Sequence, residues 1–366
     1  MASKNLTAYI TDKIFTGENW LTDHAVLAEN GIIASIILQD DIPSNASISK
    51  YKNSFLAPAF IDLQIYGAHR NLLAVKPTTE TLEKIYNYCK AGGANHYLPT
   101  VATNTYEVFY NCIAAVKEYW KQGKKGVLGL HIEGPWISKA KRGAHIEELI
   151  HSPTLQQAEE LLEYGKGVIK MITLAPEVCS DEVIDLIKSY GVVVSAGHSN
   201  ATFQQAANAF DKGISVATHL YNAMSPLQHR EPGMVGAIMQ HDKVMCSIVP
   251  DGYHVDFAAV SIAKKIMNER LFIITDAVTE TNEGYYPHRL EGDKYISNGI
   301  LSGSALTMAK AVKNCVEKAG IELSEALRMA SLYPAKVIGM QHELGRIEKG
   351  YKAEFVVMDE ALEITG

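Results

Sequence analysis

The chain has few of the features that mark a secreted, membrane or nucleic-acid-binding protein. Its N-terminus, Met-Ala-Ser-Lys-Asn-Leu-Thr-Ala, lacks the apolar core of a secretory signal. No uninterrupted apolar run approaches the roughly 20 residues needed to span a bilayer, so a cytoplasmic protein away from membranes is expected. Cysteine is scarce: Cys89, Cys112, Cys179, Cys246 and Cys315 are five in number, widely spaced and without a C-x-x-C pair. That pattern argues against both a disulfide framework and a cysteine zinc knuckle, and leaves them as reduced packing residues. The net charge of -7, the pI near 6.0 and the lack of long lysine or arginine runs argue against a nucleic-acid partner. An anionic substrate would therefore need a local basic pocket. Internal repeats and low-complexity linkers are also missing.

What the chain does have is apolar bulk. With 366 residues and 47% hydrophobic content it exceeds the usual size of a single core, so one large domain with a small companion is expected. Short strand patterns at Leu6 to Ile10, Ala25 to Glu29 and Ile32 to Ile37, separated by Asn and Gly turns, read as a small β unit. From Phe55 buried apolar runs alternate with amphipathic helical stretches, the pattern of successive βα units around a parallel sheet. Strands are predicted at Phe60 to Ile65, His96 to Val101, Gly126 to His131, Ile169 to Leu174, Val192 to Ala196, Ser215 to Thr218, Met245 to Val249 and Leu271 to Thr275. Eight is the number that a closed (β/α)8 TIM barrel requires. Helices are predicted between them, from Thr79 to Ala91 through Ser324 to Ser331. The tail, Leu344 to Ile364, returns to a β pattern turned at Gly345 and Gly350. The expectation is a barrel over 55–341 with a small discontinuous β-sandwich built from 1–54 and 342–366.

Barrel active sites lie at the C-terminal ends of the strands. On this layout Glu133 follows the third strand, His198 the fifth, His219 the sixth, His254 the seventh and Asp276 the eighth. A lone histidine or acid at such a place is more often a hydrogen-bonded side chain or a helix cap. Five ionisable groups at five equivalent ends outweigh that reading. A carboxylate with two imidazoles makes a metal site with a coordination position open to water, which points to hydrolysis.

Several motifs carry a resemblance: Ala57-Pro58-Ala59-Phe60-Ile61-Asp62, His131-Ile132-Glu133-Gly134-Pro135, Ala196-Gly197-His198-Ser199, Thr218-His219-Leu220-Tyr221-Asn222-Ala223-Met224, Asp251-Gly252-Tyr253-His254, Thr275-Asp276-Ala277 and Leu301-Ser302-Gly303-Ser304. In this order the chain resembles the amidohydrolase superfamily, and within it the deacetylases of N-acetylglucosamine 6-phosphate. The resemblance covers nearly the whole chain. It implies Glu133, His198 and His219 as ligands of one divalent metal ion, zinc or iron(II), and Asp276 as catalytic acid/base. It also implies His145 as a contact to the substrate carbonyl, Ala144 as a backbone contact to the sugar, and Asn222, Ala223, Arg230, His254 and a turn at Leu301, Ser302 and Gly303 as substrate and phosphate contacts. A phosphorylated N-acetyl amino sugar is the implied substrate and a homodimer the implied assembly.

Departures accompany the match. Most members of the superfamily carry a His-x-His pair after the first strand, where this chain has Gln64-Ile65-Tyr66, so a single metal is expected and Gln64 is counted with the substrate-binding positions. The fourth strand's end offers no bridging lysine, Lys170 lying near its start, and His69 is weighed as a stray ligand against a surface histidine. A related amidohydrolase reaction, on an N-acetylgalactosamine 6-phosphate or another amide, and a non-catalytic barrel are the alternatives.

Overall fold

The computed structural model describes residues 6–366, so the first five residues of the expected 1–54 segment lie outside the described residues. Eight strands line up side by side in chain order: β1 (Phe60–Ile65), β2 (Ala94–Ala102), β3 (Leu130–Glu133), β4 (Ile169–Leu174), β5 (Val193–Ala196), β6 (Val216–Ala217), β7 (Met245–Ile248) and β8 (Leu271–Ile273). All seven pairings are parallel. The ring closes just past the last paired residues: Asp276 N donates to Gln64 O at 3.0 Å and Tyr66 N to Ala277 O at 2.9 Å. This is the (β/α)8 barrel, with its seam next to the residues predicted to do chemistry.

A helix follows each strand, and most begin where a side chain satisfies the free amides of the first turn. Thr154 and Thr202 form capping boxes with Gln157 and Gln205, and Thr78, Ser180, Asp256 and Thr307 cap the helices that follow them. The helix after β6, Gly233–Gln240, is not among those predicted. Its sequence, Gly-Met-Val-Gly-Ala-Ile-Met-Gln, is buried from Gly233 to Ile238 and has no polar face to create a period.

The small unit is two four-stranded sheets packed face to face. One orders Ile32–Leu38, His24–Glu29, Leu6–Ile10 and Ser47–Lys50; the other orders Phe355–Met358, Phe55–Pro58, Lys13–Phe15 and Trp20–Thr22. Ile14, Val26, Ile33, Leu56, Ile347, Tyr351 and Val357 form their shared core. Phe55–Pro58 pairs here and not in the barrel. Of the tail's β pattern only Phe355–Met358 forms a strand. Among the described residues no helix is long and apolar enough to cross a membrane.

Candidate metal and catalytic site

Three site residues leave their strands in the left-handed region: His198 at φ 47°, His219 at φ 39° and Asp276 at φ 54°. Non-glycine residues avoid this region at a cost of about 1–3 kcal/mol each, and hold it only where surrounding structure over-determines it. Here the turn swings each side chain off the strand and over the barrel axis. Glu133 needs no such turn, because as the last residue of β3 it already points inward, 1% exposed.

The ligating atoms converge. Glu133 Oε1 lies 3.2 Å from His219 Nε2 and 3.5 Å from His198 Nε2, and the two imidazole nitrogens are 3.1 Å apart. Glu133, His198 and His219 are the one such group found among the described residues that could hold a metal ion. The donor set fits. His198 Nδ1 sits 3.0 Å from the Lys141 carbonyl oxygen, which accepts its proton and leaves the Nε2 lone pair for a ligand. Two imidazoles and one carboxylate suit zinc, iron(II) and their neighbours.

Electrostatics favour an ionised Glu133 carboxylate; burial opposes a charge on the His219 ring, but Glu133 and Asp276 outweigh it and raise that group above its ordinary value. Burial alone would raise the Glu133 carboxyl, but the close imidazoles of His145, His198 and His219 outweigh it and hold the group well below its ordinary value. Burial and the nearby His145 bring His198 down to about 4. Burial also raises Asp276, against the pull of His254 and His219.

Asp276 is gripped from two sides. Gln64 Nε2 lies 2.8 Å from its Oδ1, and His254 Nε2 lies 3.6 Å from its Oδ2. His254 is in turn held through Nδ1 by Asp251 Oδ2 at 2.6 Å. Asp251, not singled out from the sequence, is thus the residue that orients His254; burial would raise its carboxyl, and the His254 contacts bring it below its usual range. His145 approaches Glu133 Oε2 with Nε2 at 3.3 Å, while its Nδ1 accepts from the Thr103 backbone N–H. That contact places the ring proton on Nε2, toward the cavity.

These residues surround a cavity of about 150 Å3, walled also by Ala144, Asn222, Ala223, Leu301 and Ser302. Three expected contacts stand elsewhere. Gln64 is 1% exposed and lies beneath the floor, its amide within reach of Glu133, Asp276 and Tyr66. Gly303 is buried at φ 151°; a Cβ there would lie 2.6 Å from Val278 Cγ1, so close packing requires the glycine. Leu301 to Gly303 is not the expected turn but part of the strand Ile300–Ser304, paired with Lys294–Ser297; the turns fall at Gly292 and Gly299, both left-handed. Arg230 is exposed on the loop after β6, outside the cavity wall. His69 is also exposed, edge-on to Tyr88, and Lys170 lies exposed near the start of β4.

Tyr66 is the residue whose role the sequence reading left open. Its hydroxyl donates a short hydrogen bond to Glu133 Oε2 and accepts from Gln64 Nε2 at 2.7 Å. The signal was its place at the second histidine of the missing His-x-His pair.

A buried carboxylate and two imidazoles at the C-terminal rim of a (β/α)8 barrel, with a second carboxylate beside them, define a metal-dependent hydrolase. The chain belongs to the amidohydrolase family, whose model matches residues 55–365, while the NagA composite domain matches residues 8–50. It is 36% identical to the N-acetylglucosamine-6-phosphate deacetylase of Haemophilus influenzae, over 98% of this chain and 97% of that protein. It is also 32% identical to the N-acetylgalactosamine-6-phosphate deacetylase of Escherichia coli O157:H7, over 96% and 95%. Among solved structures, the N-acetylglucosamine-6-phosphate deacetylase from Pasteurella multocida matches with a TM-score of 0.94 at 35% identity, covering 98% of this chain and 97% of that one. A Mycobacterium smegmatis deacetylase variant in complex with N-acetyl-D-glucosamine-6-phosphate matches with a TM-score of 0.90 at 26% identity, covering 100% and 97%.

Proposed function

We propose that this protein hydrolyses N-acetyl-D-glucosamine 6-phosphate to D-glucosamine 6-phosphate and acetate. The observation that carries the reading is Asp276 in the same cavity wall as Glu133, His198 and His219, an acid/base beside a metal-binding set. The similarity to deacetylases over nearly the full chain supports the substrate.

Glu133, His198 and His219 are the residues we assign to hold one divalent cation, zinc or iron(II). That cation supplies Lewis acidity, enough to bring the pKa of a water from about 16 toward 7. Asp276 accepts the proton of the water that attacks the acetyl carbonyl. His145 donates through Nε2 to the oxygen on which negative charge develops. Asp276 then returns its proton to the departing nitrogen, because an unprotonated amide nitrogen is a very poor leaving group. The carbonyl re-forms as the C–N bond breaks, the second proton of the water passes to the amine, and acetate and the protonated amine leave. Asp251 and His254 act as a brace that keeps Asp276 aimed at the cavity.

Asn222, Ala223, Ala144, Leu301 and Ser302 are assigned to the sugar. Arg230 is assigned to the phosphate because a guanidinium matches a dianionic ester, and it would have to reach that group from its loop. A cytoplasmic setting fits five free cysteines, four of them buried. A homodimer fits the exposed Ile262 and Ile266, one turn apart on the helix Phe257–Met267.

The test is the ratio of kcat/KM for N-acetylglucosamine 6-phosphate over N-acetylglucosamine, on protein reconstituted with one divalent metal. A large ratio is expected. Comparable values would leave an amide hydrolase without phosphate recognition, and no turnover of either sugar would overturn the reading.

A further inference from the structure

An amide presents two arms to an enzyme, the group on nitrogen and the chain on the carbonyl carbon, and the two diverge from the reacting bond. On the deacetylase reading, the sugar arm extends toward Asn222, Ala223 and His254, which line the main cavity alone. The carbonyl arm must leave by the other side, past Tyr66, Glu133 and His145. A second cavity of about 60 Å3 opens there, sharing Tyr66, Glu133, His145, Ala144 and Ser302 with the first, the last two standing where the two arms part. Its walls are chiefly apolar: Leu72, Ala74, Ala102 and Val278.

The polar groups at its edge are already engaged. The Tyr286 hydroxyl donates to the Thr103 carbonyl oxygen at 2.6 Å, and His288 Nδ1 pairs with Ser302 Oγ at 2.8 Å. Burial brings His288 down to about 4, so its ring is neutral at neutral pH. The space thus favours hydrocarbon. It also exceeds the need of one methyl group, since a single water occupies roughly 10–15 Å3 on the same measure.

We propose that this cavity is an acyl pocket with room beyond acetyl, so that the enzyme also hydrolyses short linear N-acyl amino-sugar phosphates, N-propionyl first among them. The inference rests on the deacetylase reading and extends it to the carbonyl arm. The reaction is the same: water adds to the acyl carbon, the C–N bond breaks, and propionate and the protonated amine leave.

The experiment compares kcat/KM for N-propionyl- and N-acetyl-glucosamine 6-phosphate on the metal-reconstituted full chain. A methylene without room to fit costs a hydrophobic pocket about 10–200-fold. The propionyl compound is therefore expected within about tenfold of the acetyl compound, and a greater loss overturns the inference. In Ala74→Leu, which fills the pocket, the propionyl-to-acetyl ratio is expected to drop about tenfold or more, whereas an unchanged ratio refutes the location. Because the ratio is taken within one protein, a general loss of activity cancels. Should Ala74→Leu not fold, Ala102→Val is read the same way. Turnover of the acetyl compound with a greater than tenfold propionyl deficit rejects the acyl pocket alone; no turnover of either compound rejects the deacetylase reading with it.

Discussion

Removing one oxygen from Tyr66 should weaken metal binding without touching a ligand. In the structure Glu133 divides its work: Oε1 faces His198 and His219, while Oε2 is held by the Tyr66 hydroxyl and by His145 Nε2 at 3.3 Å. Tyr66→Phe leaves Oε2 with His145 alone and takes from Gln64 an acceptor at 2.7 Å. Two effects oppose each other. The phenol draws charge from the carboxylate, so its loss would make Glu133 a slightly better donor; it also fixes which oxygen faces the imidazoles. A hydrogen bond to a charged group contributes about 1.5–3 kcal/mol, and loss of an outer partner of a metal ligand typically costs about 10–100-fold in affinity. The orienting effect should win. Zinc titrated into apo-protein against a chromogenic chelator of known affinity should give a Kd about 10–100-fold weaker for Tyr66→Phe. The stoichiometry should stay at one. A Kd unchanged within experimental error would refute the argument and reduce Tyr66 to a wall of the cavity.

The other expectations concern the proton, the phosphate and the barrel floor. Asp276→Asn should lower kcat by about 10²–10⁴-fold while bound metal stays at the wild-type level; substantial turnover at normal metal content would show that another group carries the proton. Arg230→Met should raise KM for the phosphorylated sugar far more than it lowers kcat, and steady-state kinetics giving the reverse split would remove Arg230 from substrate binding. Asp62, buried beneath Gln64, is pushed up to about 7 by burial, against hydrogen bonds from Thr275 and the Gln64 backbone. Between its unfolded value near 3.8 and about 7 the native state keeps a proton that the unfolded chain has released. This group's contribution to stability therefore falls as pH rises through that window, by at most about 1.4 kcal/mol per unit. Urea unfolding at pH 5 and pH 7 should show a smaller decline for Asp62→Asn than for wild type, and identical declines would contradict the assignment.

How well the sequence announced each part followed from local physics. Strands β1 and β4 are mainly apolar, each interrupted by two polar residues, and were legible to the residue. The third strand was expected from Gly126 and pairs regularly only from Leu130, because Gly126 and Gly129 are left-handed and a Cβ on Gly129 would lie 2.2 Å from Lys170 Cγ. The hairpin strands Arg289–Glu291 and Lys294–Ser297 carry no clean alternation, since one is wholly exposed and the other mostly half-buried. At the site, Glu133, His198, His219 and Asp276 stood out because ionisable residues closing apolar runs are unusual. Asp251 did not, because its importance lies in which neighbour it touches, and no spacing rule encodes that; Tyr66 was marked only by its place in the missing His-x-His pair, which does not tell that its hydroxyl holds Glu133.

The strand Phe55–Pro58 lies between Lys13–Phe15 and Phe355–Met358. In time, this means that a chain emerging from the ribosome makes the middle strand early and its second neighbour almost last. Throughout synthesis of the barrel, one edge of that strand has no partner, and an unpaired edge is a template for pairing with another chain. Nascent chains should therefore be most prone to association in the interval before residue 358 is released, and the small sandwich should be the last part of the molecule to become protected.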